Sequence, residues 1–286
     1  MHTAFLPPLV LPLLFSGTTS TATEEPLDRS IENGAVAITG QCLGGHTAEC
    51  LVVELTNRTD HPIRTAIPAG WLMQNSDPEA QDLMIVDHRT IELAPHATQR
   101  VNCMAYCVES SDSSPEAGVG LRSMGLAQPT WVKLAEHLVK NKVDEDNVQA
   151  AVWAVANEHD IAAIGADDVQ ANQSLRKFVA ELTGRKVPWY GKNYAPPTQD
   201  GRVFSDAPTS VHGEIDFTLN TNGVVTVLVH NAQGRLMHTI GKDRYLGPGE
   251  YGMEVDLTVQ GWPKGEYTIQ VFLDGSRLLK RRVFEV

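Results

Sequence analysis

From Ile31 to about Cys107 the chain repeats short alternating segments broken by turn residues. In "CLVVELTN" the apolar positions Leu51, Val53 and Leu55 recur every second residue, and "DLMIVD" is a short apolar run. "TIELAPHATQRVNCMAYCV" holds two further strand candidates on either side of Ala94 to Thr98. A period of two places every other side chain on one face, and Gly44-Gly45, Asp60-His61-Pro62 and Asp77-Pro78 mark turns between such segments. The pattern predicts an antiparallel β-sandwich over 23–128. After Pro115 the period lengthens to about 3.6. Trp131, Leu134 and Leu138 fall on one helical face behind Pro129. Val148, Ala151, Val152 and Val155 form a second stripe, with Asp144 placed to cap it. A third helix runs from about Asp167 to Leu182 and stops at Gly184. The reading is a helical unit, 129–186, packed on the sandwich. Prolines 188, 196, 197 and 208 then predict a linker over 187–211. From 212 to 286 the period of two returns at Ile215, Phe217 and Leu219, at Val225, Val227 and Val229, and at Tyr267, Ile269, Val271 and Leu273. "NAQGR" and "LDGS" supply its hairpin turns. The fold class is mixed and mainly β, with a sandwich at each end.

The amino-terminal residues change the picture. The first 23 residues hold no Lys, Arg, Asp or Glu, and Ala4 to Phe15 is almost wholly apolar. Small residues at Ser20 and Ala22 then predict a signal peptide over 1–22. Pro7, Pro8 and Pro12 interrupt a run well short of the roughly 20 apolar residues that a membrane helix needs. No later segment is long and apolar enough to span, so the reading is an exported chain without a transmembrane segment. A net charge of −12 repels phosphate backbones, and the only basic run is Lys280, Arg281 and Arg282. This argues against a nucleic-acid partner.

The carboxyl-terminal pattern carries a resemblance. "GVVTVLVHNAQGRLMHTI", then "LGPGEYGMEVDL", then "PKGEYTIQVFLDGSRLLKRRVFEV" occur in that order. They resemble the C-terminal sorting domain of cargo of the type IX secretion system in Bacteroidota. The resemblance covers about 212–286 and implies an immunoglobulin-like sandwich recognised by the outer-membrane secretion machinery, with delivery to the cell surface or the medium. An ordinary immunoglobulin-like module, such as that of flagellar hook-capping proteins, has the same alternation.

Four cysteines, Cys42, Cys50, Cys103 and Cys107, all lie in the first domain. In an exported chain an even number predicts two disulfides with three connectivities open. No histidines recur beside them at zinc-site spacing, so no metal or other cofactor is expected. A third chemistry comes from "AYCVESSDSSP" followed by "VQAAVWAVAN". These resemble the internal-thioester domains of bacterial surface adhesins, in which a cysteine after an aromatic residue condenses with the glutamine of Thr-Gln-x-Ala-Ile-Trp. Val148 stands here where those domains carry Thr. The resemblance implies Cys107 and Gln149 as partners and an amine-bearing surface ligand as target. On a helix, Gln149, Val152, Trp153 and Ala156 share a face able to press the glutamine against an apolar core.

Other polar residues give weaker signals. His61, His88 and His96 lie at strand ends or turns. Glu136-His137 and Glu158-His159-Asp160, if helical, point to different faces. Ser110, Ser111, Ser113 and Ser114 lack a Gly-x-Ser-x-Gly elbow, and no phosphate loop or dinucleotide fingerprint occurs. Trp189, Tyr190 and Tyr194 are binding candidates, or residues that glue a linker to its neighbour. The sequence therefore reads as an exported binding or adhesion protein, non-enzymatic on balance. The rival reading is a secreted hydrolase with its site in the loops of the first domain or between sheet and helices.

Overall fold

The computed structural model describes residues 23–197 and 202–286, so the signal peptide expected over 1–22 lies outside the described residues. The amino-terminal part carries β1 (Thr23–Glu24), α1 (Leu27–Glu32), β2 (Val36–Cys42), β3 (Leu51–Asn57), β4 (Ile63–Ile67) and β5 (Trp71–Asn75). It continues with β6 (Leu83–Ile85), β7 (Arg89–Leu93), β8 (Thr98–Cys103), β9 (Ala105–Cys107) and β10 (Gly120–Leu126). Seven strands form one sheet in the order β8-β3-β2-β10-β5-β6-β9, and β1-β4-β7 form a second. Alternating residues of both, among them Leu51, Val53, Leu55, Ile63, Trp71, Met73 and Ile91, close a first core. Burying each such valine or leucine side chain stabilises the fold by about 1.5–3 kcal/mol.

The helical unit comprises α2 (Pro129–Asn141), α3 (Glu145–Ala156), a short 3-10 turn (Ile161–Ala163) and α4 (Gln173–Thr183). Its apolar stripes do not pack among themselves alone. Leu134, Leu138, Val148, Val152, Leu175 and Val179 meet Met84, Val86, Tyr106 and Val108, which point from the far face of the seven-stranded sheet. Leu83, Ile85, Ala105 and Cys107 alternate with these residues and face the first core. Strands β6 and β9 are therefore buried on both faces, as continuous apolar runs require, and the Cys107 side chain points into the first core while its neighbours Tyr106 and Val108 meet the helices.

Several predicted boundaries move. Gly120 to Leu126 is a strand, so the helical period begins after Leu126 rather than after Pro115. The third helix starts at Gln173 rather than near Asp167. A turn precedes it, in which the Asp168 carboxylate accepts the Ala171 N–H at 2.9 Å. Asp144 occupies the N-cap position of α3 without a capping side-chain hydrogen bond. Gly184 ends α4 in the left-handed region, φ 69°, as its lack of a Cβ allows.

The last part holds β11 (Tyr190–Tyr194), β12 (Pro208–Leu219), β13 (Gly223–Asn231), β14 (Leu236–Leu246), β15 (Gly249–Thr258), β16 (Glu266–Leu273) and β17 (Arg277–Glu285). Two sheets, β11-β12-β15 and β14-β13-β16-β17, enclose a third core of Val211, Ile215, Val227, Ile269, Val271 and Phe284. None of these strands enters the first core. The segment expected as a linker, 187–211, differs from that expectation: β11 pairs with β12 from Tyr190 opposite Gly213 to Tyr194 opposite Pro208. The prolines flank this strand rather than interrupt it, which is where a strand tolerates them. Among the described residues no helix is long and apolar enough to cross a membrane.

Candidate functional site

The four cysteines are buried and free, which corrects the expectation of two disulfides. Strand register explains it. Leu51 of β3 lies opposite Cys42 on one side and Cys103 on the other, and Cys107 lies opposite Leu83. None of Cys42, Cys103 and Cys107 therefore faces another cysteine across a strand pair, and Cys50 precedes β3. The Cys50 thiol donates to the Ala105 carbonyl at 3.3 Å and the Cys103 thiol to the Val101 carbonyl at 3.8 Å. Burial pushes the Cys42 thiol up to about 11 and those of Cys50 and Cys103 up to about 12. Cys107 is pushed up as well, by burial first and then by Cys50 and Cys42. Burial thus favours the protonated form of each free thiol at neutral pH.

The fold brings together the two residues singled out from "AYC" and "VQAAVW". Gln149 lies on the buried face of α3, 6% exposed, where the helix crosses β9. Its carboxamide meets the main chain of Cys107 with both ends. The Cys107 N–H donates to Gln149 Oε1 at 3.2 Å, and Gln149 Nε2 donates to the Cys107 carbonyl at 2.8 Å. The same N–H also donates to the His46 carbonyl at 3.1 Å. Strand β9 is the edge of its sheet, and an edge presents unpaired amides. Here the Ala105 and Cys107 N–H groups donate to the Ala48 and His46 carbonyls, so Gln149 supplies the donor for the Cys107 carbonyl and a second acceptor for the Cys107 N–H. Val152 and Trp153 are buried on the same helix, at 1% and 8% exposure.

A cavity of about 230 Å³ opens over this face, lined by Asp146, Gln149, Trp153, His159, Lys192 and Tyr194 among others. Its walls come from α3, from the segment after it and from β11. Lys192 is nearly buried and pairs with Asp160 at 2.6 Å. Its Nζ also donates to the Glu285 carbonyl at 3.2 Å. Of the three aromatic binding candidates, only Tyr194 lines this cavity. Trp189 Nε1 donates to the Val283 carbonyl at 2.6 Å, and the Tyr190 hydroxyl accepts the Glu285 N–H at 3.1 Å. Trp189 and Tyr190 thus fasten β11 to the last strand.

One pair escaped the sequence reading. Ser110 Oγ lies 2.8 Å from His159 Nε2, and the Ser110 N–H donates to Asn157 Oδ1 at 3.1 Å. Helix α3 ends at Ala156, so His159 lies beyond it and helical facing does not govern its direction. Burial, and then Arg185, hold its imidazole below the usual value. The 49 positions between Ser110 and His159 leave no local signal to read. Among the described residues no three His, Cys, Asp or Glu side chains converge to hold a metal ion.

No family model matches the chain, and no curated protein is similar to it. Among solved structures, the chain is similar to two crystal structures of a β-glucosidase from Kluyveromyces marxianus, one of them in complex with glucose. Identities are 13% and 11%, the TM-score is 0.22 in each, and 82% and 87% of this chain are covered. The chain spans about half the length of those it matches, 44% and 50%. A likeness that shallow transfers neither fold nor activity.

Proposed function

We propose that the chain is an exported surface protein whose amino-terminal part forms an internal thioester between Cys107 and Gln149 and so attaches covalently to amine-bearing ligands. In the same reading, 212–286 act as the sorting domain that the outer-membrane secretion machinery recognises. One observation carries the thioester: the Gln149 carboxamide is hydrogen-bonded at both ends to the main chain of Cys107, inside a buried interface. That contact holds the amide carbon beside the main chain of Cys107; the side chain faces the first core, so its sulfur must turn around the edge of β9 to reach that carbon. The contact also polarises the carbonyl, because a backbone N–H aimed at Oε1 stabilises the negative charge that develops there on attack. In the step, Cys107 Sγ bonds to Gln149 Cδ, the thiol proton passes to the amide nitrogen, the C–N bond breaks and ammonia leaves. Burial keeps water from the product.

Intact mass of the full chain tests this. A thioester lowers the mass by about 17 Da for the lost ammonia, whereas each disulfide lowers it by about 2 Da. Cys107→Ala and Gln149→Ala each abolish the larger loss. A wild-type chain at its full mass removes the proposal. Delivery is tested separately, since removal of 212–286 abolishes surface display in the native host if the sorting reading holds.

The hydrolase reading is favoured by one observation, the 2.8 Å contact of Ser110 with His159. A serine nucleophile activated in this way is labelled by a fluorophosphonate probe, and loss of labelling in Ser110→Ala identifies it.

A further inference from the structure

The cavity over Gln149 holds more than the thioester reading uses. His159 forms part of its wall, with its ring centroid 4.0 Å from that of Phe204 and 5.6 Å from that of Trp153. Arg185 Nη1 donates to the His159 carbonyl at 2.7 Å, so main chain and ring are both held in place. Trp153 also lines the cavity, and its Nε1 is buried with no hydrogen-bond partner among the described residues. A held imidazole, Trp153 and Gln149 thus line one concave surface.

We propose that His159 is the general base that takes the proton from a nucleophile entering this cavity toward Gln149, with Ser110 as the positioning residue that fixes its tautomer. The proposal rests on the thioester reading above. With Nε2–H donated to Ser110 Oγ, the imidazole lone pair sits on Nδ1, which has no protein partner among the described residues. The amine nitrogen then bonds to Gln149 Cδ while the C–S bond breaks. The amine proton passes to His159, and the electron pair of the broken bond stays on Cys107 Sγ. That sulfur takes a proton from water to return to a thiol, and His159 releases its own to water. An amide joins the ligand to Gln149. The charged and titratable groups facing His159 are Asp146 from α3, Glu158 and Asp160 beside it, Arg185 after α4, and Lys192 and Tyr194 from β11. Burial and Arg185 together favour the neutral ring, the form a base requires at neutral pH.

The test follows capture of methoxyamine by the full chain, read as the mass gained and the thiol released, between about pH 5 and 8. Methoxyamine is a weak base, largely unprotonated above about pH 5.5, so an acid limb above that point belongs to the protein. The wild-type rate falls as pH drops through a midpoint below the ordinary imidazole value of 6.5. His159→Gln keeps the about 17-Da mass loss, lowers the capture rate on the order of 100-fold and loses the limb. Ser110→Ala lowers the rate but keeps the limb, and Ser110→Thr restores the rate. A wild-type rate that is flat with pH, or a His159→Gln rate and profile equal to wild type, overturns the proposal while the mass loss stands. A wild-type chain without that mass loss overturns the thioester reading beneath it. The wild-type profile decides the matter even if His159→Gln fails to fold.

Discussion

Gln149 shows how one side chain serves a fold and a chemistry at once. As a peptide mimic it pairs with the N–H and C=O of Cys107 at the sheet edge, and that service is independent of any covalent bond. In a Cys107→Ala background, where no thioester can form, Gln149→Ala leaves a buried carbonyl without its donor. The expected cost is about 1–3 kcal/mol, read as a lower urea midpoint. Gln149→Glu costs more, because an acceptor-only carboxylate then faces the Cys107 carbonyl. An unchanged midpoint in both variants shows that the edge needs no cap. The sequence made Gln149 legible only through its neighbours Ala151, Val152 and Trp153 and through periodicity, which put it on the buried face of α3. Its partner atoms were not legible, since they belong to the main chain of a residue 42 positions away.

At the scale of elements, β11 is the piece that ties the helical unit to the final sandwich. Gly191 sits where the strand passes the Ala166 carbonyl, and a Cβ there would overlap that main-chain atom. Backbone cannot rotate aside as a side chain does. Gly191→Ala therefore destabilises by about 1–3 kcal/mol, whereas Gly247→Ala, with open space around it, is neutral. Urea midpoints of the two variants check this, and equal midpoints refute the close approach. Strand β11 was not legible in the sequence because "YGKNY" has no apolar alternation and lies between prolines. The strands of the final sandwich were, since β13 and β16 are buried at every second position and β12 is so from Ile215 to Leu219. The turn Asp274-Gly275 was legible for a conformational reason: both residues take positive φ, 51° and 72°, as a tight hairpin demands. Helix α1 was missed, as six residues are too few to establish a 3.6-residue period.

Across the whole molecule, three apolar cores are strung along the chain, and the second joins the other two. It contains the far face of the first sheet and the stripes of the helices, while Ala162 and Tyr190 at its border count with the third core. Three histidines lie along this middle layer. His46 stacks on Trp153 with ring centroids 6.4 Å apart, His137 stacks on Phe178 at 3.6 Å, and His159 lies beside Trp153 and Phe204. Burial holds all three below the ordinary value of 6.5, with Lys140 adding to the effect at His137 and Arg185 at His159. The unfolded chain thus takes up protons at a higher pH than the folded one, and stability rises with pH wherever the unfolded state binds more protons. Their contribution is complete above about pH 6.5 and is lost as pH falls through the lowered folded values. Burial raises the Asp82 and Glu109 carboxyls, which acts in the opposite sense, but only nearer the carboxylate range. The urea midpoint is therefore lower at about pH 5.5 than at about pH 7.5. The loss shrinks in His137→Gln, whose side chain does not titrate. A midpoint that holds or rises on acidification to that point means that these imidazoles are protonated in the fold, which would also remove the neutral base required beside Gln149.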